Sequence, residues 1–189
     1  DRITPFDCIE FSRELRCIDT LDEVAFLVMD LIAHDRPGLG FDFLNRYLEI
    51  TGDYSGVRLL RYYLVYRALV RSYVRVLAAG PGKSPESTPY LDLASQLVQR
   101  SNPMLLITCG LSGSGKTTIT QDLIGRLPAV RMRSDLVRKQ LHGLPASADS
   151  ESGPGAGLYT RSISDDTYQA LADFADAVLD AGFNVIVDA

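Results

Sequence analysis

The chain has 189 residues, 46% of them hydrophobic, enough for one medium domain or two small ones with buried cores. Nineteen Lys and Arg against 24 Asp and Glu leave a net charge of −5, which argues against a general binder of nucleic acid or acidic membrane. The longest uncharged apolar stretches, such as 104–110, are too short to span a bilayer and no cleavable signal pattern opens the chain, so a cytoplasmic protein with no membrane partner is expected.

Thr20-Leu-Asp-Glu23 reads as a capping box, with Thr20 as N-cap and Glu23 reaching back, and predicts a helix that continues through 21–33. That run is apolar on nearly every face, so the helix is expected to be deeply packed and Asp30 to need a partner. Arg36-Pro-Gly38 is a turn signal, followed by a short helix around 41–50 and a long one from about 57 to 79, stopped by Gly80-Pro-Gly82. The long segment carries Arg58, Arg61, Arg67, Arg71 and Arg75 with no acid, and Tyr62, Tyr63, Tyr66 and Tyr73 are interleaved. Such a face either lines a phosphate or nucleic-acid groove or lays arginine stems over a core helix, the commoner arrangement.

The polar, proline-punctuated stretch 83–89 separates two differently patterned halves, and the boundary is placed there: a first domain over 1–82, a linker over 83–102 that includes a short helix at 91–99, and a second domain from 103. From Met104 the pattern alternates: a strand over 104–109, a helix over 116–127, a strand over 129–133, a helix from about 135, a Gly-, Pro- and Ser-rich loop over 143–157, a helix near 164–181 and a strand over 183–188. Alternation of this kind implies an α/β fold with a parallel sheet flanked by helices. The last long helix is expected to bury Tyr168, Leu171, Ala172, Ala175, Val178 and Leu179 on one side.

The segment Gly110-Leu111-Ser112-Gly113-Ser114-Gly115-Lys116-Thr117 fits the phosphate-binding pattern G-x-x-x-x-G-K-S/T without a mismatch, directly after a strand and directly before a helix. Its backbone N–H groups and the helix N-terminus would hold the phosphates of ATP, with Thr118 in the same first turn; Lys116 would neutralise the β and γ oxygens and Thr117 would ligate Mg2+. Arg133-Ser-Asp135-Leu-Val-Arg138 follows the second strand. Asp135 therefore suits the carboxylate that orients an acceptor hydroxyl, and Arg138, one turn later, suits the acceptor or an incoming phosphate; the alternative is Ser134 or Asp135 as a helix N-cap. Val185-Ile-Val-Asp188 is an apolar strand ending in a carboxylate, the pattern of a Mg2+ or water ligand beside the loop.

Cys8, Cys17 and Cys109 show no spacing typical of zinc sites or disulfide frameworks and are expected to be reduced, mostly buried thiols. His34 and His142 lack ligand-type companions, and neither is read as catalytic.

With these three segments in this order, residues 103–189 resemble the small P-loop kinases related to polynucleotide and zeta-toxin kinases, over roughly the first two-thirds of such a domain. The resemblance implies that Asp135 activates the acceptor hydroxyl, that Arg138 assists, and that a lid supplying further arginines would lie beyond Ala189. Phe6-Asp-Cys-Ile-Glu-Phe11, Leu15-Arg16, Asp19, Asp22 and Ala25-Phe26-Leu27 resemble the tail of an aminoglycoside-phosphotransferase-like domain. The whole chain thus resembles bacterial two-domain proteins that pair that domain with a P-loop kinase. By that likeness Asp7 would be a Mg2+ ligand of the first domain, although the His-Gly-Asp-type catalytic loop that should precede it is absent. With no Met at its start and a strand as its last element, the chain is expected to be a piece of a longer protein.

The leading expectation is an ATP- and Mg2+-dependent phosphotransferase acting on an unidentified hydroxyl-bearing small molecule. The alternatives are an ATP-binding regulatory module without an acceptor and a nucleic-acid 5′-hydroxyl kinase that uses the arginine face as a track.

Overall fold

The computed structural model describes residues 12–80, 89–99, 102–111, 113–148 and 157–189; Asp7, Cys8 and Ser112 lie outside them. A helical half comprises α1 (Arg13–Arg16), α2 (Thr20–Ala33), α3 (Pro37–Thr51), α4 (Val57–Ala79) and α5 (Pro89–Val98). An alternating half follows, with β1 (Leu105–Thr108), α6 (Lys116–Arg126), β2 (Ala129–Arg133), α7 (Ser134–Leu141), α8 (Arg161–Asp180) and β3 (Asn184–Asp188). Among the described residues no helix is long and apolar enough to cross a membrane.

The helix ends follow local chemistry, with one departure from expectation. Asp19, not Thr20, caps α2: its carboxylate accepts from the backbone N–H of Leu21 at 2.9 Å, and Thr20 is already helical. Both residue types cap well, but a carboxylate gains from the positive helix end, and Asp19 also accepts the Tyr63 hydroxyl at 2.9 Å. That bond is the main cause that pushes the Tyr63 phenol up to about 12. Glu23, freed from the box, accepts from Arg67. Helix α3 opens at Pro37, whose fixed φ and missing N–H suit a first turn, and closes at Gly52 in the left-handed region.

Helices α2, α4 and α5 pack together. Asp30 finds its partner in α5, where the Tyr90 hydroxyl donates to it at 2.7 Å. The arginine row of α4 is turned onto this packing. Arg67 bridges Asp22 and Glu23 at 2.6 and 2.9 Å, Arg71 lies over the Phe26 and Tyr90 rings, and Arg75 lies 4.8 Å above Tyr90. These guanidiniums cover aromatic and acidic partners within the fold.

The sheet is parallel, with described strands in the order β1-β3-β2. The last strand in sequence is the middle one in space, and Val185 and Ile186 are fully buried there. Thr108, Asp188 and Arg133 are register partners, which puts the carboxyl ends of all three strands side by side. One face of β1 is exposed, at Leu105 and Ile107.

Helix α8 sits rotated from the expected face. Leu171, Ala175 and Val178 are buried as anticipated, whereas Tyr168 and Ala172 are exposed and Thr167 is buried instead. Phe174 accounts for the rotation: its ring stacks on Tyr54 of the helical half at 5.4 Å. Thr167 tolerates burial because its hydroxyl donates to the Ile163 carbonyl at 2.6 Å. Tyr54 is fully buried, and its hydroxyl has no hydrogen-bond partner among the described residues. Cys17 and Cys109 are exposed, against the expectation of buried thiols, because one follows a short terminal helix and the other opens the loop after β1.

The two halves share one core, joined along α3. Asn45 of α3 donates its amide to the Ala129 carbonyl at 2.8 Å and accepts from the Arg131 backbone N–H at 2.7 Å. A single side chain thus satisfies two groups on the outer edge of β2, as a neighbouring strand would. Glu49, one turn further, forms a buried ion pair with Arg131 at 2.6 Å. At the start of α3, a Cβ on Gly38 would lie 2.7 Å from the Gly125 carbonyl oxygen, so only glycine allows this approach to α6.

Candidate functional site

The loop after β1 turns through Gly113 and Gly115, at φ 77° and 86°, conformations that suit glycine and carry the chain into α6. Gly115 is the N-cap of α6, so the first N–H groups of that helix face the loop. The Lys116 ammonium folds back across the loop and donates to the Gly110 and Leu111 carbonyls at 2.6 and 3.0 Å.

Thr117 and Asp188, remote in sequence, meet at the sheet's carboxyl end. The Thr117 hydroxyl donates to Asp188 Oδ2 at 2.8 Å, and Asp188 also accepts from Thr108 and Thr120, each at 3.3 Å. Asp188 is buried, and Thr117 is its closest donor; the single proton of Thr120 is divided between Asp188 and the Thr117 carbonyl at 3.1 Å. A hydroxyl and a carboxylate beside a phosphate-binding loop are hard oxygen donors that fit Mg2+, whose remaining positions waters and phosphates commonly fill.

Asp135, in the first turn of α7, accepts from Arg133 at 3.1 Å and is partly exposed. The helix has no side-chain N-cap bond, so Ser134 and Asp135 do not serve as its cap. Arg138 is buried and stacks over the Tyr159 ring at 4.8 Å, without an ion-pair partner among the described residues.

Residues 113–118, Arg133, Asp135, Arg138, Tyr159 and Asp188 line one cavity of about 620 Å³. That volume is in the range of small-ligand sites. The cavity has neighbours on both sides of Arg133. One of about 500 Å³ is bounded by Asn45, Glu49, Thr118 and Arg131, and one of about 480 Å³ by Arg46, Ile50, Asp135 and Lys139. A larger space of about 860 Å³ lies away from these groups, where α4 and α5 meet the end of α8. Arg61, which lines it, donates to the carbonyls of Leu97, Gln99 and Gly182, and the chemically equipped cavity is the one at the loop.

All sequence-derived candidates within the described residues except Gly110 and Leu111 line this cavity, and those two accept from Lys116. Sequence reading missed Tyr159, Arg133, Thr108 and Thr120 as members of the site. A lone Tyr after a glycine-rich loop carries no signal of its own. Thr120 was in principle visible, as a hydroxyl one helical turn beyond Thr117 on the same face.

A small open parallel sheet, flanking helices and a glycine loop that leads into a helix define a P-loop NTPase-like α/β domain, preceded here by a mainly helical lobe. Residues 105–189 match the protein family described as an AAA domain. The chain is 32% identical over 185 residues to uncharacterized proteins of Mycobacterium tuberculosis and Mycobacterium bovis; the match covers 96% of this chain and 37% of theirs. The chain thus spans little more than a third of the length of these relatives. No solved structure matches.

Proposed function

We propose that the alternating half is an ATP- and Mg2+-dependent phosphotransferase that acts on a hydroxyl-bearing small molecule. The observation that carries this reading is the shared cavity, in which the phosphate loop, the Thr117–Asp188 pair, Asp135 and the buried cation of Arg138 face one space. Residues 110–118 hold the triphosphate. Thr117 and Asp188 hold Mg2+, whose chemistry is to neutralise charge on the phosphate oxygens. Lys116 exchanges its two carbonyl partners for phosphate oxygens, and Arg138 meets the transferred group.

Asp135 orients the acceptor hydroxyl, which enters from the adjoining space beside Arg46, Ile50 and Lys139. Against a nucleic-acid acceptor stands the engagement of Arg67, Arg71 and Arg75 within the helical half. The aminoglycoside-phosphotransferase-like origin of the first half rests on its sequence resemblance alone.

Calorimetric titration of ATP with Mg2+ into the wild-type chain and Lys116→Ala tests the site: binding to the first, weakened at least tenfold in the second, supports it. Folded wild-type protein that binds no ATP refutes it. Asp135→Ala is expected to keep ATP affinity and abolish transfer to any acceptor that the wild type phosphorylates.

A further inference from the structure

One guanidinium and two carboxylates lie close together, each almost wholly buried. Arg131, on β2, is 4% exposed, and its Nη2 donates to Glu49 Oε1 at 2.6 Å. Its Nη1 lies 3.4 Å from the Thr120 hydroxyl, which itself lies 3.3 Å from Asp188 Oδ2. A single hydroxyl therefore separates Arg131 from the carboxylate assigned to the divalent cation. Arg46 approaches the other oxygen of Glu49 at 3.6 Å, but from solvent.

A buried cation takes the nearest available anion as its counter-charge, because water cannot supply one. Glu49 meets that need at the shorter distance. Asp188 is thereby left among neutral hydroxyls, with its charge not committed to Arg131. Glu49 belongs to α3, in the half of the chain that contributes nothing to the phosphate loop itself.

We propose that Glu49 is a positioning residue for the nucleotide site: by neutralising Arg131 it reserves the charge of Asp188 for the divalent cation, so that the helical half sets the Mg2+ dependence of nucleotide binding. This rests on the reading of Thr117 and Asp188 as the cation's ligands. Without Glu49, Arg131 draws on Asp188 through Thr120, and the cation site loses much of its negative charge. The phosphate loop is untouched, and the added positive charge nearby favours bare ATP if it has any effect.

The test is the ratio of ATP dissociation constants in EDTA and in Mg2+, measured by calorimetry on the whole chain. Glu49→Gln keeps the shape and a hydrogen-bond acceptor but removes the charge. The ratio is expected to fall about tenfold relative to wild type, with affinity in EDTA unchanged or improved. The double variant Glu49→Gln with Arg131→Met removes both charges, and its ratio is expected to return to that of the wild type. A purely structural role predicts no such recovery.

A wild-type ratio in Glu49→Gln overturns the inference while leaving the nucleotide site standing. Wild-type protein that binds ATP with no Mg2+ effect, or not at all, removes the cation site and the inference with it. Should Glu49→Gln fail to fold, the double variant carries the test, since neutral replacements of buried ion pairs are often tolerated. A ratio still reduced in that variant refutes the proposal.

Discussion

Replacing Asn45 by Ala probes whether the two halves of the chain are one folding unit. The substitution removes two hydrogen bonds, of 2.8 and 2.7 Å, and strands the Ala129 carbonyl and the Arg131 N–H in a buried seam. Each buried group left unpaired costs about 1–3 kcal/mol, so the loss from two is roughly 2–6 kcal/mol. Against a typical domain stability of about 5–15 kcal/mol this is a large fraction. The chain has no Trp, so urea unfolding is best followed by far-UV circular dichroism.

With a slope of about 2 kcal/mol per molar urea, the midpoint should drop by roughly 1–3 M at constant slope. Asn45→Asp keeps the acceptor for Arg131 but offers no donor to Ala129, and should lie at or below Asn45→Ala. Leu39→Ala, at an exposed position on the same helix, should stay within about 0.5 kcal/mol of wild type. A shift below about 0.3 M for Asn45→Ala, or loss of the helical half alone in a separate transition, would refute the view that Asn45 ties α3 to the sheet.

Two further stability predictions concern the same junction. Gly38→Ala should destabilise by about 1–3 kcal/mol despite the better helix propensity of Ala, because the new methyl meets the Gly125 backbone at 2.7 Å; equal or higher thermal stability would contradict it. Tyr54→Phe should be neutral or stabilising by up to about 1 kcal/mol, because it deletes a buried hydroxyl without a partner among the described residues and keeps the stack on Phe174. Tyr54→Ala should cost about 3–5 kcal/mol, and equal melting of the two variants would deny the stack any role.

What could be read from the sequence was what neighbouring residues decide. The loop 110–117 is a contiguous pattern, and the strand before it and the helix after it are visible as changes of hydrophobic period. The long helix came out at its observed bounds, Val57–Ala79, because a glycine closes it and no breaker interrupts it. The strand-terminal Asp188 was legible as a pattern, but its meeting with Thr117 also needs β3 to insert between β1 and β2, which the sequence does not state.

The rest depends on partners remote in the sequence. Asp19 outcompeted Thr20 as a cap partly because Tyr63 donates to it. The face of α8 was set by Phe174 finding Tyr54. Asn45 and Glu49 look like ordinary polar positions on an amphipathic helix until β2 is laid against them. Tyr159 follows the 143–157 loop, whose composition gives no hint of which side chain returns to the cavity.

The way α3 closes β2 also fixes the direction in which the sheet can grow. The Ala129 carbonyl and Arg131 N–H, which a further strand would need, are already taken by one amide side chain, and a helix lies across the space. Extension on that flank is chemically blocked. On the outer edge of β1 no described strand pairs. Any strand that joins this sheet, from the same polypeptide or another, has a single docking edge, and its first neighbour is the strand that delivers the phosphate loop.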